Sequence, residues 1–124
     1  MPKRRNRIDF NDVRKIALEL PGVEESGTSR GPSLKVRGRL LTCPAIDKSA
    51  EPNSLMVRIS VDERARLLAE DPDTYYLTDH YSGYPAVLVR LSRISRDSLR
   101  DLLESASRFV SAKTRKPSRK PKRS

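Results

Sequence analysis

Between Ala86 and Val110 the hydrophobic period of the chain changes from two residues to 3.6, and no other feature limits the fold so tightly. Val87, Val89 and Leu91 alternate with Leu88 and Arg90, which puts the two sets on opposite sides of a strand. Ser95 then stands as a helix N-cap. Ile94 before it and Leu99 four positions after it are spaced as a hydrophobic staple. Leu99, Leu102, Leu103, Ala106, Phe109 and Val110 continue as one apolar stripe. A strand with an apolar side followed by a helix with an apolar stripe requires a sheet covered by helices. Immediately upstream, His80-Tyr81-Ser82-Gly83-Tyr84-Pro85 reads as a tyrosine-rich loop in which Gly83 permits the turn into the strand.

The remaining elements follow from similar signals. Asp9 and Asp12 are spaced as a capping pair, and Val13, Ile16, Ala17 and Leu20 form one helical face that Pro21-Gly22 ends. Residues 24–32 contain Gly27, Gly31, Pro32 and three small hydroxyl residues, and read mostly as loop. Strands are expected at 33–37 and 40–43 around a turn at Gly38, and again at 55–60. Ser60 and Glu63 match a capping box for a short helix to about Glu70, which Asp71-Pro72 stops. Tyr75–Leu77 reads as a short strand. The order predicts an α+β fold: a two-layer sandwich with an antiparallel sheet of about five strands. The N- and C-terminal helices lie on one face and the other face is open and polar.

Charge divides the chain. Its 124 residues carry 26 Lys and Arg against 16 Asp and Glu, a net of +10. Residues 1–7 and 113–124 hold 11 of those basic residues and no acid, so the span 8–112 has 15 basic against 16 acidic residues. The expected organisation is a disordered basic tail over 1–7, a single domain over 8–112 and a disordered basic tail over 113–124. A domain of this size can bury a core without staples, and one cysteine, Cys43, excludes an internal disulfide. No apolar run reaches the ~18 residues of a membrane span, and the N-terminus lacks a signal-type apolar segment. A monomeric cytoplasmic protein is the expectation.

Four pieces in order carry a resemblance. They are Leu18-Glu19-Leu20-Pro21-Gly22-Val23, Pro32-Ser33-Leu34-Lys35-Val36-Arg37-Gly38-Arg39, Tyr81-Ser82-Gly83-Tyr84-Pro85-Ala86-Val87-Leu88-Val89-Arg90-Leu91 and Leu99-Arg100-Asp101-Leu102-Leu103-Glu104-Ser105-Ala106. Together they resemble the MmcQ/YjbR family of small bacterial proteins from about Asp9 to Lys113. The resemblance implies a fold similar to frataxin/CyaY and a DNA-binding role through a double-wing arrangement of strands. Family members often carry Trp where Ala86 stands and another in the final helix, whereas this chain has none.

Two candidate sites follow. Lys35, Arg37, Arg58 and Arg90 fall on the polar phase of their strands and, if the strands are neighbours, line the open face as a basic stripe that Arg39 extends. Such a stripe suits phosphate contacts whose affinity comes from counterion release. Lys113, Arg115, Lys116, Arg119 and Lys120 of the C-terminal run supply further phosphate contacts. The expected partner is DNA read with low sequence specificity, by a protein that is not an enzyme. The alternative is a protein-interaction or small-ligand site at Tyr81–Pro85, with His80, Tyr81 and Tyr84 as its lining. His80 also offers an acid/base group or a partner for Cys43, but no third orienting group accompanies them. The carboxylates are too scattered for a metal centre, one His and one Cys do not make a zinc site, and the glycines do not match a phosphate loop. No cofactor or metal is expected.

Overall fold

The computed structural model describes residues 8–28 and 31–115. Helix α1 spans Phe10–Leu18. Its cap is reciprocal: Asp12 N donates to Asp9 Oδ1 and Asp9 N to Asp12 Oδ2, each at 3.1 Å. Val13, Ile16 and Ala17 are its buried face. Strands β1 (Val23–Thr28), β2 (Gly31–Val36), β3 (Arg39–Pro44) and β4 (Ser54–Arg58) follow. Then come α2 (Val61–Glu70), β5 (Tyr75–Tyr76), the single turn α3 (Asp79–Ser82), β6 (Ala86–Arg90) and α4 (Arg96–Arg115). The strands form one antiparallel sheet in the order β1-β2-β3-β4-β6-β5.

The sheet has six strands where five are expected. The extra one, β1, lies in the stretch read as loop. It is an edge strand whose Glu24 and Glu25 are exposed, so it shows no apolar alternation, and it is held by its full backbone ladder with β2. A second difference is at His80–Pro85, where α3 replaces an irregular loop. Gly83 there has φ −79, ordinary right-handed backbone, so the turn does not depend on glycine.

Leu55, Val57, Val87 and Val89 face the helices, where Leu99, Leu103 and Ala106 of α4 and Val13 and Ala17 of α1 are fully buried. Ser95 caps α4 through its Oγ, which accepts from Ser98 N at 3.1 Å, and both staple residues are buried. The backbone of α4 runs through Arg115, past the expected start of the tail at 113. Cations in a last turn complement the helix dipole, and proline first intervenes at Pro117. The expected disorder of 1–7 and of 116–124 lies outside the described residues.

The second face of the sheet is not open. Met56, Ala86 and Leu88 point to it and are buried under Leu40, Cys43, Ala45, Ala50, Tyr76 and Tyr81. The β3–β4 connection, residues 45–53, therefore acts as a strap across the middle of this face. The polar phase of the sequence is polar only at the strand ends, because its central positions are Met56 and Leu88.

Candidate nucleic-acid interface

Register decides which of the five sheet cations meet. Leu34 pairs with Thr42 and Lys35 with Leu40, so β3 carries a bulge at Leu41. Thr42 pairs with Val57, and Arg58 with Ala86. Lys35, Leu40, Arg58 and Ala86 thus share one end of the second face. At ~4.8 Å per strand, the Lys35 and Arg58 backbones are about 10 Å apart. Arg90 instead pairs with Ser54, four residues from Arg58 along β4, which is ~13 Å toward the opposite end. The stripe as expected does not form: its two ends are separated by the covered Met56–Leu88 pair.

Arg90 is also fully engaged. Its Nε and Nη2 donate to the two carboxylate oxygens of Glu51 at 2.9 and 2.8 Å. Its Nη1 donates to the carbonyls of Pro72 and Asp73 at 3.1 Å each, and the guanidinium lies 4.3 Å from the centre of the Tyr76 ring. Hydrogen bonding to Arg90 holds the Glu51 carboxyl below its ordinary range. Arg90 is thus a fastener of the strap: Tyr76 Oη accepts from Glu51 N at 2.8 Å and also meets Ser54 Oγ. It is removed from the candidate contacts.

Arg37 is not on the strand face either. Val36 pairs with Arg39, and between them Arg37 (φ 53) and Gly38 (φ 79) form a two-residue hairpin turn with both residues left-handed, as in a type I′ turn. Arg37 is therefore displayed at the hairpin tip. Arg39 leaves the turn on the phase of Val36, toward the helix layer, and both arginines are exposed. Lys35, Arg37, Arg39 and Arg58 nevertheless lie at the same end of the sheet, since β2 and β4 run toward the turn. Among the described residues, no carboxylate lies within ion-pair distance of any of them.

A fifth cation at this end has no signal in the sequence beyond helical phase. Arg64 of α2 donates from Nη1 to Tyr84 O at 2.7 Å and Ala86 O at 3.1 Å. Finding it requires knowing that α2 begins beside the start of β6. Among the described residues the buried Nε of Arg58 has no acceptor, a costly arrangement for an N–H. Of the C-terminal run, Lys113 and Arg115 belong to the backbone of α4, whereas Lys116, Arg119 and Lys120 lie outside the described residues.

The tyrosine region also fastens the strap. Tyr81 Oη accepts from Asp47 N at 3.3 Å, and Ser49 and Thr78 meet through their hydroxyls at 2.8 Å. His80 Nδ1 lies 3.5 Å from Asp47 Oδ1. Hydrogen bonds from Ser49 keep the Asp47 carboxyl below its ordinary range. Burial pushes the Tyr81 hydroxyl and the Cys43 thiol up, so Cys43 is a poor source of thiolate at neutral pH. A cavity of about 420 Å³ lies between Ile8 and the Ser92–Asp97 segment, away from His80, Tyr81 and Tyr84. Among the described residues there is no cluster of metal-ligating side chains, and no helix is long and apolar enough to cross a membrane.

The sequence model of the YjbR family matches residues 18–108, a span that encloses all four of the pieces quoted above. The chain belongs to the YjbR family. Two uncharacterised relatives, Rv2570 of Mycobacterium tuberculosis (strain H37Rv) and Mb2600 of Mycobacterium bovis, are each 46% identical over 52 residues. The match covers 40% of this chain and only 40% of the length of those curated relatives. The crystal structure of Deinococcus radiodurans DR2400, a DUF419 domain, superposes with a TM-score of 0.70 at 19% identity, covering 90% of this chain and 83% of that one. At that identity the likeness establishes a shared YjbR-type fold.

Proposed function

We propose that this YjbR-family protein is a non-enzymatic DNA-binding protein that makes mainly phosphate-backbone contacts, with the β2–β3 hairpin end of its sheet as the docking surface. The observation that carries the reading is Arg37. A left-handed backbone costs an L-residue other than Gly, Asn or Asp roughly 1–2 kcal/mol, and hairpin turns of this kind strongly prefer Asn-Gly. Here a long cation stands in that position, exposed and, among the described residues, without an acidic partner. Strain retained at a protruding charge points to a use for the charge. Lys35, Arg39 and Arg58 lie at the same end of the sheet and Arg64 reaches the start of β6 there, while Glu24 is the cross-strand partner of Lys35. The lysines and arginines of 1–7 and 113–124 add attraction without sequence preference.

The test is fluorescence anisotropy with labelled DNA across a salt series, using the full chain and its Arg37→Glu/Arg39→Glu variant. Both residues are exposed, so the fold is retained. The reading expects much weaker binding and a smaller dependence of log K on log salt for the variant. Identical curves for the two proteins would remove the hairpin as the docking surface.

A further inference from the structure

The cationic end of the sheet also carries an unburied aromatic ring. Tyr84 is 56% exposed, and of the four tyrosines it alone is exposed. Its backbone is held firmly: Tyr84 N donates to Tyr81 O at 3.1 Å, while Tyr84 O accepts from Ala86 N at 2.8 Å and from Arg64 at 2.7 Å. Its ring lies 6.5 Å from that of His80, which stands edge-on to Tyr81 at 4.8 Å. Tyr81 packs on the Met56–Ala86–Leu88 cluster. A row of rings thus leads outward from the second face of the sheet and ends in Tyr84, beside the first residues of β6, whose Ala86 is the cross-strand partner of Arg58.

A solvent-facing ring on the same end of a sheet as several cations suits the binding of single strands: a base stacks on the ring and the phosphates meet the charges. In a duplex the base faces are already stacked on one another, and only edges are presented to a protein. We propose that this end of the sheet binds single-stranded DNA, with one base stacked on Tyr84 and the neighbouring phosphates on Arg58, Arg64, Lys35 and Arg37. This rests on the DNA reading above and names the form of nucleic acid it takes. Stacking is tolerant of base identity, so the preference is for strandedness and not for sequence.

The experiment uses the full chain with a labelled oligothymidylate of about 15 nucleotides and a duplex of equal length at low salt. Wild type binds the single strand more tightly, and its tyrosine fluorescence is quenched. Tyr84→Ala loses about 5- to 150-fold in single-strand affinity, the fold-change equivalent of ~1–3 kcal/mol of stacking, with duplex affinity unchanged. Tyr84→Phe, which keeps the ring, retains wild-type affinity. Equal single-strand affinity for Tyr84→Ala and wild type overturns the stacking site and leaves the charge-based reading standing. An equal loss on single strand and duplex also overturns it. Failure of wild type to bind either oligonucleotide overturns the DNA reading itself.

Discussion

Arg37 and Arg58 each sit where another residue would suit the fold better. Arg37 occupies a left-handed turn position that asparagine adopts more readily. Arg37→Asn is expected to raise stability by about 0.5–1 kcal/mol while weakening DNA binding and lowering the salt slope by about 1. Thermal melting and a salt titration of affinity check the two halves separately. A variant with lower stability and full affinity would show that the arginine serves the turn. Arg58 has a buried Nε with no acceptor among the described residues. Replacing such a group with an apolar side chain of similar length removes an unsatisfied donor, so Arg58→Met is expected to be neutral or stabilising by up to ~1 kcal/mol, again with weaker DNA binding. A clear loss of stability in denaturant unfolding would mean that the guanidinium has a structural partner. The residue that looked equivalent from sequence, Arg90, differs in kind, because its donors are spent on Glu51, Pro72 and Asp73. Arg90→Met should therefore leave DNA affinity unchanged.

At the scale of elements, α4 and the strap set the two faces of the sheet. Leu103 of α4 is fully buried against the sheet, and Leu103→Ala should cost about 2–5 kcal/mol in denaturant unfolding. A cost under ~1 kcal/mol would mean that α4 is not packed as described. The strap is fastened by carboxylates, and its pH response has a definite sign. Glu51 and Asp47 both titrate below their ordinary range in the folded protein. Their contribution is present above the ordinary carboxylate pKa of about 4 and is lost as pH falls through the lower folded values. Amide exchange at Glu51 and Asp47, corrected for intrinsic rates, should accelerate as pH falls below about 4; constant protection would contradict the fastening. Much of this architecture is legible in the sequence. The helices α1 and α4 announce themselves by caps and single stripes, and β6 by alternation. β1 did not, because an exposed edge strand depends on backbone pairing and not on an apolar pattern. The covering of the second face was equally hidden. Alternation assigns Met56 and Leu88 to that face, but only the folded chain brings Ala45, Ala50 and the two tyrosines over them.

For the whole molecule, the polar phase of the strands groups five cations that the fold divides between two ends of the sheet. Lys35, Arg37, Arg39 and Arg58 meet at one sheet end, joined by Arg64 and Tyr84, while Arg90 lies at the other end behind the strap. The reason is register, which a polar phase alone does not specify. The proposed docking surface is accordingly the hairpin end of the sheet and not the strap end. The most direct measurement is an amide chemical-shift titration of the full chain with a single-stranded oligonucleotide at low salt. The account predicts that the largest changes cluster at Lys35–Leu40, Arg58–Arg64 and Tyr84–Ala86 and spare Glu51, Ser54 and Arg90. Changes confined to residues 1–7 and 113–124, or centred on the strap, would contradict it.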